Sequence, residues 1–176
     1  ILGTINDATD VQNTRAVGSS WGADDRIGVT VDGPTSGNAV DTYINIQYRK
    51  DNGNAFRVVN EGSVDNNIRL KGNGAYTLAA YYQGENGTLP GEEGVITKKI
   101  SGADQSADKQ PQIDFLFAEA TEVYADSPVT FNFTHRMAKI ILRFAAKNGA
   151  TLNDMTVHLK SLQLEGTFDV NTGEAV

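Results

Sequence analysis

Two histidines, His135 and His158, are the side chains of this 176-residue chain whose ordinary pKa suits proton transfer near neutral pH. His135 falls in phase with Phe131 and Phe133 on a predicted strand. It should therefore face the core at a strand end, its ring nitrogens bonded to backbone or to a polar neighbour. His158 lies between Val157 and Leu159, out of phase with them, and should face solvent. The structural reading of both outweighs a catalytic or metal-binding one. Carboxylates are paired at Asp24-Asp25 and Glu92-Glu93. Adjacent residues on a strand point to opposite faces, so this spacing alone cannot flank a glycosidic bond. Asp7 and Asp10, or Asp24 and Asp25, could touch calcium, but the EF-hand loop pattern is missing and solvated loop charge is the better account.

The absence of cysteine removes disulfides, thiol catalysis and Cys-ligated zinc together. No nucleophile elbow, phosphate-binding loop or dinucleotide fingerprint occurs, since the glycines stand in turns between strands and not ahead of a helix. The sequence thus nominates no catalytic residue, no cofactor site and no metal ligand, and the chain is not expected to be an enzyme. Trp21, Tyr43, Tyr48, Tyr76, Tyr81 and Tyr82 could form a sugar-stacking platform. Packing in the core or across strands is the more economical reading, because aromatics fit a pleated surface. The sequons Asn86-Gly87-Thr88 and Asn132-Phe133-Thr134 match an N-glycosylation acceptor, with no function attached to them.

The elements that would position these residues are strands. Eighteen glycines punctuate the chain, several directly after asparagine, as in Asn52-Gly53, Asn73-Gly74, Asn86-Gly87 and Asn148-Gly149. Ile27, Val29 and Val31 alternate along one strand, and Ile44, Ile46 and Tyr48 along another. Residues 43–50, the turn Asp51-Asn52-Gly53-Asn54 and residues 55–59 read as a hairpin. Residues 76–82 carry apolar groups on both faces and read as a central strand. The stretch 89–114 turns polar around a short strand at 95–100, as a surface excursion would. Strands are also expected at Val129–Phe133, at Ile140–Phe144 and at Met155–Leu159, with a bulge after Leu159 where the phase changes. The Ala- and Lys-containing run 137–147 fits a short helix by composition, but its strand-rich surroundings favour β.

These elements predict one all-β sandwich domain over residues 16–176. The first 20 or so residues look separable, as an extended arm or an edge strand with scattered Ile1, Leu2, Ile5 and Val11. Fifteen Lys and Arg against 22 Asp and Glu leave a net charge of −7, the wrong sign for nucleic acid. No stretch approaches the roughly 20 apolar residues of a spanning helix.

Several segments together have a family likeness: Thr14-Arg15-Ala16 after the arm, Trp21 and Asp25 before Ile27-Gly28-Val29, and Ala80-Tyr81-Tyr82. With them stand 114–118 (DFLFA), 133–140 (FTHRMAKI) and the closing 166–173 (GTFDVNTG). The combination resembles the fimbrillin family of Bacteroidetes, along nearly the whole chain. The resemblance implies a transthyretin-like Greek-key sandwich of about seven strands, the amino-terminal domain of a two-domain surface protein. It implies export as a lipoprotein and a place at the outer membrane or in an extracellular fimbrium, as a pilus subunit or pilus-related adhesin. Its implied partners are other pilus subunits, an arginine-specific maturation protease, and host or bacterial surface ligands. In that family a cut would fall between Arg15 and Ala16, and residues 1–15 would be a pro-strand anchored by Ile1 or Leu2 and by Ile5. Release of a pro-strand leaves unpaired backbone groups and an apolar groove, which a strand from another subunit can fill. A carbohydrate-binding surface lipoprotein is the alternative, and a hydrolase with an unrecognised site is the third.

Overall fold

The computed structural model describes residues 1–5, 20–32, 43–60, 62–84, 94–102, 106, 109–138, 140–148 and 151–176. The fold is all-β. Its strands are β1 (Leu2–Ile5), β2 (Arg26–Asp32), β3 (Tyr43–Lys50), β4 (Phe56–Val58), β5 (Tyr76–Tyr82), β6 (Val95–Lys99), β7 (Leu116–Val123), β8 (Thr130–His135) and β9 (Glu165–Asp169). One helical turn, α1 (Gln110–Ile113), precedes β7.

Seven strands form a mixed sheet in the order β1-β8-β7-β5-β2-β3-β4. Strands β2, β3 and β4 form an antiparallel meander, and β5 returns to pair with β2, which is the Greek-key arrangement expected. The predicted hairpin is present. Gly53 adopts φ +58° in its turn, and Asp51 N–H donates to the Ala55 carbonyl across it at 2.8 Å. β5 is central, between β2 and β7, because both of its faces are apolar. Leu78, Ala80 and Tyr82 join the main core with Ile27, Val29, Val31, Leu116, Phe131 and Phe133. Ala79 and Tyr81 join a second cluster with Ile96, Phe115, Phe117 and Val170.

That second cluster is roofed by an antiparallel ribbon of β6 and β9. The strand at 95–99 is therefore no surface excursion. Ile96 is buried, and it pairs with Phe168, a partner far along the chain that no local pattern encodes. Phe168 stacks on Phe115 at 4.6 Å between ring centroids, and Arg136 lies over the Phe117 ring.

Further expectations are corrected. Ile44 does not share a face with Ile46 and Tyr48; it is exposed, while both others meet the core. Asn45 takes φ +53°, and two β3 residues oppose the single Thr30 of β2, so a bulge reverses the alternation at that point. The strands expected at Ile140–Phe144 and Met155–Leu159 are not formed, nor is the bulge after Leu159. Residues 140–148 and 151–164 lie outside regular structure, with Ile140, Leu142, Phe144, Met155, Val157 and Leu159 exposed. Period-two alternation describes a strand only where a neighbouring edge accepts its hydrogen bonds. Here the ladder extends no further than Ile100 N–H donating to the Leu164 carbonyl.

Candidate functional site

The amino-terminal strand occupies a slot between the two ends of the large sheet. On one side β1 runs parallel to β8, with Leu2 opposite Thr130 and Ile5 opposite Phe133, and Leu2 N–H donates to the Val129 carbonyl at 2.9 Å. On the other side Leu2 bridges antiparallel to Ala55 in the β3–β4 turn. There Gly3 N–H donates to the Asn54 carbonyl, and Phe56 N–H donates to the Ile1 carbonyl, each at 2.9 Å. A four-residue strand, the first member of the strand order, thus links β8 to the start of β4, the last member, and closes the sheet toward a barrel.

Alternation decides what each residue of the strand does. Ile5 is buried at 6% exposure and Ile1 packs against the main core, whereas Leu2 on the opposite face is 44% exposed. Between the two inward isoleucines stands Gly3. A Cβ there would sit 3.0 Å from Phe56 and 3.1 Å from Phe133, so the slot is narrowest at its middle. Its floor is aromatic: Trp21 makes edge-on contacts with Phe56, Phe133 and Tyr82 at centroid distances of 5.0, 5.1 and 5.5 Å. The indole N–H of Trp21 donates to the Gly3 carbonyl, so the floor is bonded to the strand it carries. Arg15 and Ala16, the residues of the expected cut, lie outside the described residues, as do Asp7, Asp10, Glu92 and Glu93.

The chemistry-bearing residues have structural partners. His135 ends β8, 18% exposed, with Nδ1 2.9 Å from Asp114 Oδ2, as its phase with Phe131 and Phe133 predicted. Asp114 also accepts the Phe115 N–H, which fixes the start of β7. Nearby, the Lys98 ammonium donates to the Gln83 and Gln112 carbonyls. Burial pushes its pKa below the ordinary lysine value, and the Asp114 charge opposes that shift. His158 is exposed. Asp25 is not the solvated loop charge expected of it. It is 4% exposed, accepting the Gly22 N–H and the Tyr82 hydroxyl, and it braces the turn that brings Trp21 to the slot. Among the described residues no group of three or more His, Asp or Glu side chains gathers to hold a metal. Trp21, Tyr48, Tyr76, Tyr81 and Tyr82 are all buried and Tyr43 half-buried, so the six aromatics pack the fold and form no sugar platform.

Sequence reasoning placed Ile1, Leu2 and Ile5 in the arm but did not find the residues that receive it. Phe56, Phe133 and Trp21 meet β1 only through tertiary structure, across separations as large as 128 positions, as Ile5 opposite Phe133 illustrates. Trp21 stands alone as the chain's tryptophan, and that was the one local signal available.

Comparison with known proteins agrees with this architecture. No curated protein matches the chain. A crystal structure from Bacteroides ovatus ATCC 8483, described as a "putative cell adhesion protein", is similar at 70% identity with a TM-score of 0.76. The match covers 99% of this chain and 65% of that one, so the chain spans just under two thirds of that protein's length. The model of the Fimbrillin-like family matches residues 14–176. A Greek-key sheet with a two-stranded roof and a match over nearly the whole length lead to one assignment: the chain belongs to the fimbrillin-like family.

Proposed function

We propose that the chain is the amino-terminal part of a cell-surface fimbrial subunit or pilus-related adhesin, and that the β1 slot is where subunits join. The observation that carries this reading is the seating of β1 between β8 and the β3–β4 turn. Withdrawing the strand would strip partners from the Val129 and Asn54 carbonyls and from the Phe56 N–H, and would uncover Phe56 and Phe133. An opened sheet of this kind takes up another strand readily.

In this reading an arginine-specific protease cuts between Arg15 and Ala16, residues 1–15 leave, and a strand of a neighbouring subunit enters. Ile1 and Ile5 are the pro-strand's core anchors, and Leu2 faces outward. The incoming strand must run parallel to β8, place apolar side chains at alternate positions, and carry a small residue where Gly3 now passes Phe56 and Phe133. Nothing in this assembly requires chemistry on the acceptor or a cofactor. Lipoprotein anchoring and a final position in the outer membrane or an extracellular fimbrium belong to the same proposal, as do host or bacterial surface ligands.

The test is limited digestion with an arginine-specific protease, followed by mass analysis and size-exclusion chromatography of full-length subunits. One discrete cut after Arg15, release of residues 1–15 and growth of oligomers are expected. Cleavage at many arginines at comparable rates, or cleaved subunits that stay monomeric, would defeat the reading.

A further inference from the structure

Three arginines stand side by side on three neighbouring strands. Arg26 of β2 is directly opposite Arg49 of β3, and Arg49 is directly opposite Arg57 of β4. Direct partners in an antiparallel ladder share a face. Ile27, Tyr48 and Phe56, their neighbours in sequence, belong to the core, so the three guanidinium groups turn outward. Adjacent strands are about 4.8 Å apart, which makes the row a line of positive charge roughly 10 Å long.

Like charges set opposite one another oppose folding. No general excess of cations accounts for the row, because the chain carries a net charge of −7. The arginines line a cleft of about 430 Å³ together with Lys50 and Asp51. Among the described residues Asp51 is the one carboxylate in that lining, and it is engaged by Arg57 at 2.8 Å. Three outward arginines among the described residues therefore share one carboxylate. Moreover, Arg26 Nε is shut away from solvent and meets no hydrogen-bond acceptor among the described residues. A buried charged donor in that condition calls for an acceptor.

We propose that the Arg26–Arg49–Arg57 row binds an acidic polysaccharide, each guanidinium taking one of the successive carboxylate or sulfate groups of a glycan chain. A planar guanidinium holds such oxyanions through paired N–H donors. A line of evenly spaced charges suits a polymer with repeated anions better than a single ion. Nucleic acid fits less well, because among the described residues no aromatic side chain lines the cleft to stack a base. A peptide strand would add to a sheet edge, whereas this row lies on a sheet face. The site is separate from strand exchange at the β1 slot, so either reading stands or falls without the other.

The experiment measures binding of the uncleaved chain to immobilised heparin (sulfated) and polygalacturonate (carboxylated). Neutral dextran, polyglutamate and single-stranded polyuridylate are the comparators, at low and at physiological salt. Binding to at least one acidic glycan, none to dextran, and weakening with salt are expected. Arg49→Gln should lower affinity about tenfold, as loss of a charge-assisted pair does, and Arg49→Lys should fall between it and the parent. Asp51→Asn should tighten binding by freeing Arg57. Both Arg49→Gln and the exposed Arg57→Gln should melt no lower than the parent, since each relieves repulsion; a simple folding defect would lower the melting temperature with the affinity. Acidic glycans binding no better than dextran at low salt would overturn the proposal. So would undiminished binding by the triple Arg→Gln variant, or tighter binding to polyglutamate or polyuridylate.

Discussion

The indole Nε1–H of Trp21 donates a 2.9 Å hydrogen bond to the carbonyl oxygen of Gly3. The residue at the centre of the aromatic cluster is thereby also the one that holds the terminal strand. Its edge-on contacts with Phe56 and Phe133 tie both walls of the slot to the same ring system. Closure of the large sheet and integrity of its core are consequently coupled through one side chain.

Trp21→Phe tests that coupling. It keeps most of the apolar surface but leaves the buried Gly3 carbonyl without its donor, for an expected loss of about 1–3 kcal/mol. Amide exchange at Gly3 should accelerate more than exchange in β5. Equal acceleration in the two strands would show that Trp21 supports the core alone.

Within β1 the two faces should differ sharply. Ile5→Ala removes a buried side chain and should destabilise by about 2–5 kcal/mol, while Leu2→Ala at an exposed position should stay within about 0.5 kcal/mol. Gly3→Val forces atoms against Phe56 and Phe133 and should cost about 1–3 kcal/mol or expel the strand. Thermal unfolding of the three variants gives the ranking, and a Leu2 effect as large as that of Ile5 would refute the inward and outward assignment.

Gly28 lies opposite Tyr81, whose ring covers it, and Tyr81 hydroxyl donates to Asn45 Oδ1 at 2.5 Å. A Cβ on Gly28 would approach Asn45 Oδ1 to 2.4 Å and Tyr81 Cε1 to 2.6 Å. Gly28→Ala should therefore lower stability by about 1–3 kcal/mol. Paired with Asn45→Gly, which accepts the positive φ and removes one clashing atom, the double variant should lose less than the sum of the single losses. Denaturant midpoints of the four proteins measure the coupling.

Lys98 makes stability depend on alkaline pH. Burial holds its pKa below 10.5 in the folded chain, so between the two pKa values the unfolded chain binds more protons and stability rises with pH. Tyr48 works in the other direction at higher pH. Its burial raises the phenol pKa above 10.0, and stability is lost as pH climbs past that value. Urea midpoints should rise with pH on the alkaline approach to 10.5, the ordinary lysine value. The rise should vanish in Lys98→Met, and a slope that persists there would assign it to another group.

Local pattern carried the fold as far as each strand's own partners were near in sequence. The β3–β4 hairpin was readable because Asp51-Asn52-Gly53-Asn54 joins two alternating runs, and β5 was recognisably central because both its faces are apolar. The same logic misplaced Ile44, since one positive-φ residue at Asn45 inverts the alternation without altering the apolar count. It also extended strands over Ile140–Phe144 and Met155–Leu159, where the residues alternate but no ladder receives them.

By itself the sequence determined an acidic, cysteine-free, all-β chain with His135 at a strand end, because those properties reside in composition and in period-two spacing. Only the tertiary structure decided where the first segment goes. Its neighbours are Asn54 to Phe56 on one side and Thr130 to Phe133 on the other. Backbone hydrogen bonds between distant segments carry no sequence signature of their own, so neither the slot nor the arginine row beside it could be read before the strands were set in register.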